Sequence, residues 1–115
     1  MAKQPSRTYL KLKEEFPAVF AALEQLGLAA KEAGPLDGKT AQLIQLAAAA
    51  TVHSEGAVHS HTQRALESGA TPAEIRHAIL LLTSTIGYPT VAAALTWTND
   101  IIAGKRQPPL SRQKP

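Results

Sequence analysis

Leu43-Ile44-Gln45-Leu46-Ala47-Ala48-Ala49-Ala50-Thr51-Val52 is the stretch whose reading decides the fold. It holds no proline or glycine, and its alanines and leucines are strong helix formers. Its apolar residues run almost all the way round, and a helix without a polar face is a buried one. Asp37, just upstream, is placed to cap its first turn. These residues predict a central buried helix from Gly38 to about Ser54.

Further helices are expected on both sides. Upstream, proline at Phe16-Pro17-Ala18 suits a first helical position. Val19, Phe20, Leu23 and Leu26 then keep helical spacing until Gly34-Pro35. Tyr9, Leu12 and Phe16 form a short turn before it. Downstream, Gly56 is expected to break or bend the chain, and a short helix over 62–67 ends at Ser68-Gly69. Thr71-Pro72-Ala73-Glu74 is a capping box with proline at the first position. Ile75, Ala78, Ile79, Leu82 and Ile86 follow as one helix to Gly87. Pro89 opens a last helix, with Val91, Ala94, Leu95, Thr98 and Ile102 on one face. Hairpin signals are missing. The fold class is therefore all-α, a single-domain bundle of about five helices over 16–104. An N-terminal extension, 1–15, is expected to be partly ordered, and the basic tail 105–115 disordered.

The chain has 115 residues, one domain's worth. Hydrophobic residues make up 44% but aromatics only 4%, so the core leans on alanine, which buries little area at about 25 cal/mol per Å². A core that thin predicts a homo-oligomer. The sequence contains no cysteine, which excludes disulfides, thiolate catalysis, zinc ribbons and iron–sulfur clusters. The net charge is +3, but its distribution argues against nucleic acid. Lys105, Arg106, Arg112 and Lys114 lie in the tail without an acid, whereas residues 16–104 hold four basic and seven acidic side chains. Counter-ion release needs a basic stripe on a folded face. Nothing reaches membrane-spanning length, and Met1-Ala-Lys-Gln-Pro-Ser-Arg has no apolar stretch behind its charges. No membrane partner and a cytoplasmic location are expected.

Three of the four histidines fall in nine residues, His53-Ser54-Glu55-Gly56-Ala57-Val58-His59-Ser60-His61, where the chain leaves the buried helix. Polar side chains at the mouth of an apolar helix can line a pocket, and imidazole titrates near neutrality, as general acid–base catalysis requires. His61 lies one turn before Ala65 on the expected inward face. That position suits a catalyst, or a structural histidine bonded to a backbone carbonyl. Glu55 can orient it or stay solvated. His53 and His59 read as loop residues, His59 as exposed, and His77 as surface. His53, Glu55, His59 and His61 match no standard zinc spacing, so no metal and no cofactor are expected. Ser54 as a nucleophile lacks a Gly-x-Ser-x-Gly elbow.

The run His61-Thr-Gln-Arg-Ala-Leu-Glu-Ser-Gly-Ala-Thr-Pro-Ala-Glu-Ile75 resembles the carboxymuconolactone decarboxylase family, which includes the AhpD-like alkylhydroperoxidases. Leu36-Asp-Gly-Lys-Thr40 and Gly87-Tyr-Pro89 extend the likeness over roughly 16–104. The resemblance implies an AhpD-like helical bundle assembled as a trimer or hexamer. It also implies a site in which the thiol-using branch carries Cys-x-x-Cys-x-x-x-His with a glutamate on the buried helix. The histidine falls on His61, the cysteines on Ser54 and Ala57, and the glutamate on Gln42. Without sulfur, thiol peroxidase chemistry is not expected. The decarboxylase branch needs no cysteine, and it implies a lyase acting on a small organic acid or lactone. On that reading His61 is the acid/base, with Glu55 and His53 beside it. Arg64, Gln42 and Ser54 contact the substrate, and Arg64 can equally face solvent. The alternative is a non-catalytic oligomeric scaffold or small-molecule binder.

Overall fold

A computed structural model describes residues 7–104, so the partial order expected before residue 7 and the disorder expected over 105–115 lie outside the described residues. The described residues form seven helices and no strand. The all-α class is as expected, with more helices than the pattern suggested. The chain divides after Asp37 into two compact units.

The first unit holds α1 (Arg7–Glu15) and α2 (Pro17–Glu32). The short turn anticipated around Tyr9 is a full helix. Pro17 opens α2, as read from the sequence. The Tyr9 and Phe20 rings meet edge-to-face at 5.4 Å, and Lys13 Nζ lies 2.9 Å from Glu24 Oε2. Val19, Leu23 and Leu26 on α2 are exposed.

The second unit holds α3 (Gly38–Thr51), α4 (Glu55–Glu67), α5 (Pro72–Leu80), α6 (Thr83–Ile86) and α7 (Tyr88–Ile102). Its core is Leu46, Val58, Ile75, Ile79 and Val91 with five small residues, Ala49, Ala50, Ala65, Ala70 and Ala94. The alanine-based core read from composition is therefore present. The central helix is not buried all round, however. Gln42, Leu46, Ala49 and Ala50 form its buried stripe, while Ile44 and Val52 are 52% and 72% exposed.

Gly56 does not break the chain. It lies in the first turn of α4, which begins seven residues earlier than anticipated. Ser54 caps that turn by accepting a bond from the Ala57 N–H (3.3 Å), and Glu55 places an acid at the positive end of the helix. These two effects outweigh the helix cost of glycine, about 1 kcal/mol even in a helix interior.

The single helix expected over 75–86 is also divided. The Thr83 hydroxyl donates to the Leu80 carbonyl at 2.7 Å, and the Leu82 N–H bonds back to Ile79 in a tighter turn. A local side-chain bond of this kind competes with the helix ladder.

The capping box forms as expected: Thr71 and Glu74 exchange bonds of 3.1 and 2.9 Å. Lys39 Nζ, on α3, lies 3.1 Å from Glu74 Oε2. Among the described residues no helix is long and apolar enough to cross a membrane.

The Thr71 backbone N–H, and after it Lys39, hold the Glu74 carboxyl below its ordinary value of 4.5. A carboxyl lowered by folding contributes stability that is present above 4.5 and lost as pH falls through the lower folded value. Glu74→Gln is therefore expected to lower the melting temperature at pH 7. Melts repeated at successively lower pH should show that difference shrinking below pH 4.5.

Candidate functional site

The histidine-rich junction is a compact helix-to-helix turn, and it distributes its histidines rather than gathering them. The Ser54 N–H bonds to the Ala49 carbonyl at 3.1 Å and the His53 N–H to that of Ala50 at 3.0 Å. This is the paired reversal that ends many helices, with a left-handed residue between the two bonds. His53 is that residue, at φ 60°. Gly69 occupies the same place after α4, with the Ala70 N–H bonded to Ala65 and its own to Leu66. Glycine is the usual occupant of such a position, and histidine tolerates it better than most side chains do.

From there the three imidazoles diverge. The exposed His53 ring meets Trp97 edge-to-face at 5.2 Å. His59 and His61 stand two residues apart on α4, which separates them by roughly 160° around the helix axis. They flank the buried stripe of Val58, Thr62 and Ala65 on opposite sides.

His61 is half-buried, and its Nδ1 lies 2.8 Å from Oε1 of Gln42, which is 1% exposed on α3. A carbonyl oxygen only accepts, so Nδ1 carries the proton. In the neutral ring Nε2 is then the basic nitrogen.

His59 was expected in an exposed loop. It lies instead on α4 with its side chain only 14% exposed, and its Nε2 is 2.9 Å from Asp100 Oδ2 on α7. Glu55 Oε2 is 4.0 Å from the same nitrogen. Glu55 thus lies beside His59, where the sequence suggested a place beside His61. The Ser54 hydroxyl accepts the cap bond from Ala57, so the two positions that the family motif gives to cysteines are joined here by a helix cap. Arg64 is exposed in the last turn of α4, three residues beyond His61 on a neighbouring position of the helix surface. His77 is exposed, as expected.

Sequence reasoning missed Asp100, whose only signal was an acid among apolar residues near the end of the last helix. An open surface depression is lined by Arg7, Leu10, Lys11, Lys13 and Glu14, all on α1, and none of the residues above lines it.

Residues 17–100 match the model of the carboxymuconolactone decarboxylase family. The chain belongs to that family. An uncharacterized protein from Haemophilus influenzae is 36% identical over 59 residues, 51% of this chain and 52% of the relative, so the match spans about half of that protein. A crystal structure of the apo form of a carboxymuconolactone decarboxylase family protein from Legionella pneumophila is similar with a TM-score of 0.70. It shares 27% identity over 81% of this chain and 86% of that one. Within the family's helical frame, this chain has no cysteine and presents Gln42 to His61.

Two stability measurements check these assignments. Gln42→Leu removes the acceptor for Nδ1 and is expected to cost about 1 kcal/mol in urea unfolding, the usual worth of a hydrogen bond. His53→Gly should be neutral or stabilising, whereas His53→Val, β-branched at positive φ, should lower the midpoint clearly.

Proposed function

We propose that this protein is a cofactor-free enzyme acting on a small organic acid or lactone, with His61 as its acid/base. The observation that carries the reading is the 2.8 Å bond from His61 Nδ1 to Gln42. It holds the ring in one tautomer and one orientation, so Nε2 is the nitrogen that exchanges a proton with substrate. For a lactone acid the chemistry is a lyase reaction. The carbon–carboxylate bond breaks, carbon dioxide leaves, and its electron pair passes to the adjacent carbonyl as an enolate. The imidazolium then delivers a proton from Nε2 to the carbon. Arg64, one helical step away, is the cation available for the substrate's anionic group. Gln42 serves as a positioning residue, and a neutral amide in that place neither donates to Nδ1 through its oxygen nor shuttles a proton.

A second reading, a non-catalytic oligomeric scaffold or small-molecule binder, is favoured by a different observation. Ser54 is engaged in a helix cap and His53 in a turn, so two of the expected site residues have structural roles that need no substrate. Under either reading we place the protein in the cytoplasm as a homo-oligomer, trimer or hexamer. The exposed Ile44 on α3, Val52 just after it, and Leu80 and Leu81 at the end of α5 support assembly.

Turnover of a panel of lactone acids and β-keto acids separates the two. At least one member should be decarboxylated by the wild type. His61→Gln should lower kcat by about 10²–10⁴, the usual share of general acid–base catalysis, when assayed at a temperature where its melting curve shows it folded. A wild type inert on the whole panel, or a His61→Gln variant as fast as the wild type, leaves the scaffold reading standing.

A further inference from the structure

Glu55, His59 and Asp100 make a second polar cluster on the flank of α4 opposite His61. We propose that it is a binding site for a divalent transition-metal ion of the zinc class.

The donor set comes first. One imidazole nitrogen and two carboxylate oxygens are ligands that zinc accepts, with three protein ligands leaving a fourth position for water. Local geometry comes second. Glu55 and His59 stand at i and i+4 on α4, the spacing that puts two ligands on one helix face. Asp100 arrives from α7, so the third ligand is supplied by tertiary packing. One ligand atom from each residue lies within 4.8 Å of the others, and all three residues are partly buried. Metal–ligand bonds of about 2.0–2.2 Å place tetrahedral ligand atoms about 3.3–3.6 Å apart. The separations from His59 Nε2, 2.9 Å to Asp100 and 4.0 Å to Glu55, bracket that distance. A small rotation of each side chain closes the difference.

Charge is the independent pointer. Two carboxylates converge within 4.8 Å on a single imidazole. With a neutral ring the cluster carries two negative charges, and with a protonated ring it still carries one. Like charges this close repel strongly near a protein surface. A dication bound by a neutral His59 brings the sum to zero and replaces the proton between His59 and Asp100. Metal uptake then competes with protons and weakens as pH falls. The ion also pins α4 to α7, so its binding raises the melting temperature by mass action.

The test uses the full-length chain without an affinity tag, stripped with chelator and titrated with zinc chloride by calorimetry, with retained zinc measured after desalting. The wild type is expected to take up one zinc per chain and to melt higher with zinc present. Asp100→Asn and His59→Gln should each weaken binding at least about tenfold, whereas His61→Gln and His53→Gly should bind as the wild type does. Imidazole NMR of the wild type gives a readout free of any folding defect: zinc should shift the His59 nitrogen resonances and leave those of His61 in place. A wild type that retains no zinc overturns the proposal, as does zinc that binds Asp100→Asn unchanged or shifts His61 in place of His59. None of these readouts involves turnover, so the zinc site and the His61 chemistry stand or fall separately.

Discussion

The packing of the inner stripe of α3 against α4 is the constraint on which the rest of the second unit depends. Only Val52, His53 and Ser54 separate the two helices, and so short a connection folds the second helix back along the first. Gln42 precedes the junction by nearly three turns and His61 follows it by about two, and the hairpin brings them face to face. The stripe around Gln42 is otherwise Leu46, Ala49 and Ala50, facing Val58 and Ala65. Small side chains let helix axes come toward the near end of the usual 8–10 Å range. At that distance an amide on one helix reaches an imidazole on the other without a bridging water.

Elements announced by local chemistry were legible in the sequence: proline at the first position of α2 and α5, the Thr71–Glu74 box, the stop at Gly69, and the periodic stripe of α7. Each is an interaction between residues no more than four apart. The central helix was legible as a helix but not in its burial, because an apolar surface reads the same whether another element covers it or not. The reversal after α3 was hidden for a related reason. Gly69 advertises a left-handed residue and His53 does not, although both close the same pair of backbone bonds. Gly56, a poor helix former, reads as a break, whereas the cap at Ser54 lets α4 begin at Glu55.

The site itself was legible only where the helical period could express it. His61 one turn before Ala65 pointed inward, and it does. Its partner came from the family resemblance, and the structure supplies the bond. Asp100 lay beyond both routes. It stands 41 residues from His59, on a helix whose reading stressed its apolar face, and no periodicity within α7 indicates which part of α4 its carboxylate meets. A contact set purely by tertiary packing leaves no trace in local pattern.

Gln42 stands where the family resemblance implies a glutamate in the thiol-using branch, and the two side chains differ in what they do to an imidazole. A buried carboxylate beside an imidazole stabilises its protonated form and offers a second station for the proton, which suits a relay to a thiol. An amide of the same length keeps the geometry and removes the charge. It fixes which nitrogen bears the hydrogen. This chain has no cysteine to receive such a relay, and the positions to which the resemblance assigns the thiols, Ser54 and Ala57, are joined by the cap of α4. The paired carboxylates lie on the other flank, around His59. The helix thus carries His61 with its amide partner on one flank and His59 with its two carboxylates on the other, on opposite sides of the buried stripe of Val58, Thr62 and Ala65.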